Sequence, residues 1–190
     1  MRLFAAIPVP VDVAAVLADH AEVLASRSAG VVALAAEELV LPVAFFGDVS
    51  EECVPAVAKA VEAAASRVHG AISCDLSGSV LLRQGTERGV RVDLDLFVLL
   101  GSMRDELLST VAPYAPHRDL SAWTPRIALV RSADGDVLPE ALRDLQVQPL
   151  PASWIARELT LMTSIMGPVG RHYRPLYSAP LGPMHAPTRQ

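Results

Sequence analysis

The chain has 190 residues, 52% of them hydrophobic, which suits one compact unit or two small lobes and excludes two large independent domains. Its 16 basic and 21 acidic residues leave a formal net charge of -5, which argues against nucleic-acid binding driven by bulk electrostatics. Cys53 and Cys74 supply neither a disulfide framework nor a metal-ligand spacing and read as small hydrophobes in a reducing cytoplasm.

The opening run 1–8 carries one positive charge and is cut off by Pro8, Pro10 and Asp12 too early for a signal peptide, so it reads as a first strand. Val13, Val16, Leu17, Ala21 and Leu24 then recur as one apolar helix face, with His20 on it as a partly buried core residue. A break at 28–30 leads into an apolar run ending at Phe46-Gly47. Asp48 and Ser50 are capping candidates for a second helix with Val54, Val57, Val61, Ala65 and Val68 on its face.

Strands are predicted over 72–82 and 90–100, joined by the hairpin-like loop 83–89. A third helix presents Leu107, Leu108, Val111 and Ala115 and ends near Pro113. After it come a strand over 123–131, a short helix over 138–145, and two strands over 154–167 and 171–181. Adjacent strands without a helical crossover argue for an α+β fold with antiparallel pairing. Residues 1–182 are expected to form one bilobal domain and 183–190 a flexible tail. No apolar stretch approaches the roughly 20 residues that a membrane-spanning helix needs, so a soluble, cytoplasmic protein is expected.

Four stretches, in order, carry a resemblance over nearly the whole chain. They are Met1-Arg2-Leu3-Phe4-Ala5-Ala6-Ile7-Pro8, then Leu39-Val40-Leu41-Pro42-Val43-Ala44-Phe45-Phe46-Gly47, then Pro125-Arg126-Ile127-Ala128-Leu129-Val130-Arg131, and a closing block with Leu159-Thr160-Leu161-Met162-Thr163-Ser164 and Gly170-Arg171-His172-Tyr173. Together they resemble the 2H phosphoesterases, the LigT-like 2'-5' RNA ligase and RNA 2',3'-cyclic phosphodiesterase family. The resemblance implies two antiparallel sheets around a central cleft with helices outside.

It also implies a His-x-Thr/Ser on a strand of each lobe, the histidines acting as general base and acid and the hydroxyls holding a phosphate. In this chain the four motif positions hold Val40, Pro42, Arg126 and Ala128. None of these is a proton donor with a pKa near neutrality, and an arginine stays protonated. The expectation is therefore a degenerate site, a pseudoenzyme without catalytic residues. The alternative is an active cyclic phosphodiesterase or 2'-5' RNA ligase using displaced groups such as His117 or His172.

Strict alternation along the first motif strand would place Val40, Pro42, Ala44 and Phe46 on the cleft wall, with Leu39, Leu41, Val43 and Phe45 in the core. On the second it would place Arg126, Ala128 and Val130 there. One cation among apolar surfaces fits a small, partly apolar anionic ligand or a protein segment. Neither a cofactor nor a metal is expected.

Other candidates read as ordinary structure. Arg83, Arg88 and Arg91 form a solvated basic hairpin, and RNA is not favoured as a partner. Trp123, Trp154 and Tyr173 are expected in the core, and Asp93 and Asp95 form a solvent-facing pair with no third ligand. His69 and His172 lie near predicted turns as exposed loop histidines.

Overall fold

β1 (Arg2–Pro8) is apolar from Leu3 to Ile7, and a strand with no polar side must be covered on both faces. It therefore lies inside a sheet, between β3 (Val40–Asp48) and β9 (Glu158–Gly167). β10 (Gly170–Pro180) extends this first sheet beyond β9, and every pairing in it is antiparallel. The computed structural model describes residues 1–27, 29–68, 72–76, 80–82, 89–93, 97–132, 152–167 and 170–182, and for 80–82, 89–93, 97 and 170 it describes the backbone.

A second sheet has the order β2 (Val31–Ala33), β7 (Arg126–Ser132), β6 (Gly89–Asp93) and β5 (Val80–Leu82), again antiparallel. A separate pair joins β4 (Ile72–Asp75) to β8 (Ser153–Ala156). α1 (Val11–Ser26) packs on β2 and β7, α2 (Val54–Ser66) on β9 and β10, and α3 (Phe97–Thr110) on β3 and α2. One contiguous core runs through both sheets and all three helices. α1 buries Val13, Ala14, Leu17, Ala21 and Leu24. Val16, expected on that face, is exposed, and His20 stands one turn further on, with Nδ1 2.8 Å from the Val16 carbonyl oxygen.

Four predicted strands change. The run expected as a strand to Leu100 turns helical at Phe97, because Leu100, Met103, Leu107 and Leu108 recur at helical spacing and are buried. The expected strand 72–82 is two strands in different sheets, and the expected 154–167 is β8 and β9, which leave Arg157 to pair with different partners. β7 begins at Arg126 instead of Trp123; the indole of Trp123 lies under the guanidinium of Arg104, 5.9 Å away. The expected helix 138–145, His69, Arg83, Arg88, Asp95 and the tail 183–190 lie outside the described residues.

β3 is the edge of the first sheet, a place that suits Pro42, which has no N–H to give a second neighbour. The segment after α3 covers this edge: the Asp119 N–H donates to the Phe45 carbonyl at 3.0 Å. The cover closes over Gly47, whose φ is +72° and where a Cβ would stand 2.7 Å from the His117 carbonyl oxygen. Both the left-handed backbone and the backbone contact demand glycine. Gly47→Ala is expected to lower stability by about 2 kcal/mol or more. Urea unfolding should show this as a fall in the midpoint at unchanged slope.

Candidate functional site

The concave face of the first sheet carries its own small apolar cluster, Phe4, Ala6, Val40 and Met162, with Tyr173 packed against it. The cross-strand register explains its membership. Phe4 pairs with Phe45 and Met162, Ala6 with Pro42 and Thr160, and Pro8 with Val40, so these side chains share one face. Phe4 stacks on Phe45 with centroids 5.6 Å apart and meets Tyr173 edge-on at 4.9 Å.

The β1–β3 pairing slips by one residue between Leu3 and Phe4 and again between Ala5 and Ala6, so β3 carries extra residues at Phe46 and Val43. Alternation restarts after such a bulge. Ala44 and Phe46, expected on the cleft wall, are buried in the main core, and Phe45, expected in the core, is 41% exposed on the concave side. A slip in the β6–β7 pairing makes Leu129 the extra residue of β7. It sends Val130 into the core, against expectation, and leaves Arg131 on the face of Arg126 and Ala128. Both corrections have one cause: a period of two holds only where the ladder is regular.

The wall from the second sheet thus presents Arg126, Ala128 and Arg131. Arg126 pairs in register with Asp93 and donates from Nε to the Thr124 carbonyl at 3.4 Å. Arg131 donates from Nη1 to Glu38 Oε1 at 2.9 Å. Glu38 ends the 3-10 turn Ala36–Glu38, the crossover from β2 in one sheet to β3 in the other, and its second oxygen accepts the Ala35 N–H at 3.1 Å. Facing them from the first sheet is the phenol of Tyr173. Burial raises its pKa above the ordinary 10.0; the cations Arg171 and Arg131 oppose the shift, while Glu38 adds to it.

Further along the same concave face Thr160, itself buried, shares a hydrogen bond of 2.8 Å with Ser178. Both hydroxyls lean toward Glu158 Oε1, at 3.3 and 3.4 Å. This polar group and the Arg131–Glu38 pair were missed at the sequence level. The only available signal was the alternation of Glu158, Thr160 and Met162, which does not reveal what they meet.

The displaced histidines do not converge on this face. The His117 backbone lies against Gly47, at the end of β3 remote from Val40. His172 pairs with Ile165, one residue out of step with Tyr173, so its side chain stands on the opposite face of β10. Of the expected core aromatics, Trp154 is buried and paired across from Cys74, whose thiol burial pushes up to about 12. Among the described residues no group of three or more His, Cys, Asp and Glu is arranged to hold a metal ion.

The raised Tyr173 pKa makes alkaline stability depend on pH. Between the unfolded phenol pKa of about 10 and the higher folded value, the native state holds the proton that the unfolded chain has lost, so stability falls as pH rises through this window. Tyr173→Phe should make the alkaline loss of stability shallower. Ultraviolet titration of the variant should lack one of three tyrosine ionisations, the missing one lying above the ordinary value.

No protein-family model matches the chain, and a search of curated proteins finds no match. Solved structures do match. The protein TT0787 of Thermus thermophilus superposes with a TM-score of 0.76 at 22% identity, over 97% of this chain and 100% of that one. A structure described as a phosphoesterase gives 0.69 at 21%, over 95% and 98%. E. coli LigT complexed with 3'-AMP gives 0.70 at 21%, over 95% and 97%, and LigT has also been solved with ATP, NADP+ and phosphate. With its element order and antiparallel pairing, the chain has a LigT-like fold, α+β, with two antiparallel sheets around a cleft and helices outside.

Proposed function

We propose that this chain is a non-catalytic, LigT-like binding protein that takes a small, partly apolar anion in the cleft between its sheets. The observation that carries the proposal is the occupancy of the four motif positions. Val40 belongs to the apolar cluster, and Pro42 shares its face; Arg126 and Ala128 stand on the other wall. No imidazole or hydroxyl is available at any of them to relay a proton or hold a phosphate in the family's manner. Arg126 supplies positive charge for a carboxylate or phosphate, while Pro42, Phe45 and Ala128 offer apolar surface. A protein segment with an acidic side chain presents the same chemistry.

Residues 1–182 act as one bilobal domain in this reading, supported by a core that runs without interruption from β1 to β10. Both cysteines are free, which agrees with a reducing cytoplasm, and no described helix is long and apolar enough to cross a membrane.

The ligands of the LigT structures supply the probe. Calorimetry should detect binding of 3'-AMP, weakened about tenfold or more by Arg126→Ala, as expected for a charge-assisted contact of about 1.5–3 kcal/mol. The purified chain should leave 2',3'-cyclic nucleotides and 2'-5'-linked oligonucleotides intact. Turnover of either by the wild type, abolished in Arg126→Ala, would overturn the proposal in favour of an active phosphodiesterase or ligase.

A further inference from the structure

We infer that Glu38 is a built-in anion that occupies Arg131, so that a ligand phosphate reaches this second cation of the cleft only by displacing the Glu38 carboxylate. The inference rests on the cleft-binding reading above and names the residue that sets its anion preference. Arg131 stands on the same face of β7 as Arg126, because the bulge at Leu129 turns it there. Its guanidinium is engaged at 2.9 Å by Glu38, and the carboxylate side chain is only 15% exposed. Partial burial strengthens such a pair relative to an exposed one and makes it a competitor for any incoming anion.

The pair sits across the cleft. Arg131 comes from the second sheet and Glu38 from the crossover between the sheets, and both act on the Tyr173 phenol of the first sheet. Arg171 is on the same face of β10 as Tyr173, and its charge favours the ionised form of that phenol. Two arginines and a phenol therefore converge on one place, and the carboxylate already there has the charge and the planar oxygens of a bound ligand. A singly charged ligand held elsewhere on the wall leaves this pair intact. A phosphate monoester, with more negative charge and a third oxygen, competes for Arg131. Glu38 thus biases the cleft against phosphate monoesters, and its removal should relax that bias.

Glu38→Gln tests this, because the amide oxygen still accepts the Ala35 N–H that closes the turn while the charge is gone. Calorimetry with inorganic phosphate and with 3'-AMP should show about tenfold tighter binding than wild type. The double variant Glu38→Gln/Arg131→Gln should lose that gain. Glu38→Ala gives the same reading if the glutamine variant does not fold, which circular dichroism decides. Unchanged or weaker phosphate binding in a folded Glu38 variant overturns the inference, as does a gain that survives in the double variant. If wild-type binding of 3'-AMP depends on Arg126 but Glu38→Gln brings no gain, only the Glu38 inference falls. If the gain appears but is indifferent to Arg126→Ala, the inference stands and the Arg126-centred reading falls; absence of binding by every variant overturns both.

Discussion

The extra residue at Val43 in β3 decides what the cleft is made of. Without it, Phe46 would project into the concave side and Phe45 into the core. With it, Val43, Ala44 and Phe46 all lie in the main core, and Phe45 comes out to stack on Phe4. The insertion follows directly after Pro42, and the strand is an edge strand with only one neighbour to satisfy. The slip at Leu129 has the same effect on the opposite wall: Val130 packs inward, and Arg131 turns toward the cleft. The aromatic stack and the Arg131–Glu38 pair depend on these two irregular steps.

The walls that result differ in kind. The first sheet offers an apolar cluster small enough to remain separate from the main core, bordered by the hydroxyls of Thr160 and Ser178 and by Tyr173. The second sheet offers two arginines. The Tyr173 phenol of the first sheet, its pKa raised by burial, is neutral over the physiological range and can donate or accept a hydrogen bond. The proposed ligand, with distinct apolar and anionic ends, matches this difference. The His117 backbone lies against the Gly47 turn, and His172 stands on the other side of its strand.

Much of the architecture is legible from residue pattern. The unbroken apolar run of β1 predicts a strand buried on both faces, and the helical spacing of Val57, Val61, Ala65 and Val68 predicts α2 with its buried side. Patterns fail where two elements share one apolar run. Phe97 to Leu100 satisfies a buried strand as well as the first turn of a helix, and only packing of Leu100 against the core settles it. The break at Arg157 is similarly invisible, because β8 and β9 follow one another as strands and differ in the partners they meet.

From the sequence alone follow the α+β class, the alternation of the first strand and helices and the identity of the residues at the four motif positions, because these are properties of local pattern and residue chemistry. Which residues line the cleft is decided by the tertiary structure. A bulge is a mismatch between two strands, so neither strand encodes it by itself; Phe45, Arg131 and Glu38 acquire their positions only when Ala6 meets Pro42, Val90 meets Val130, and the crossover closes between the sheets.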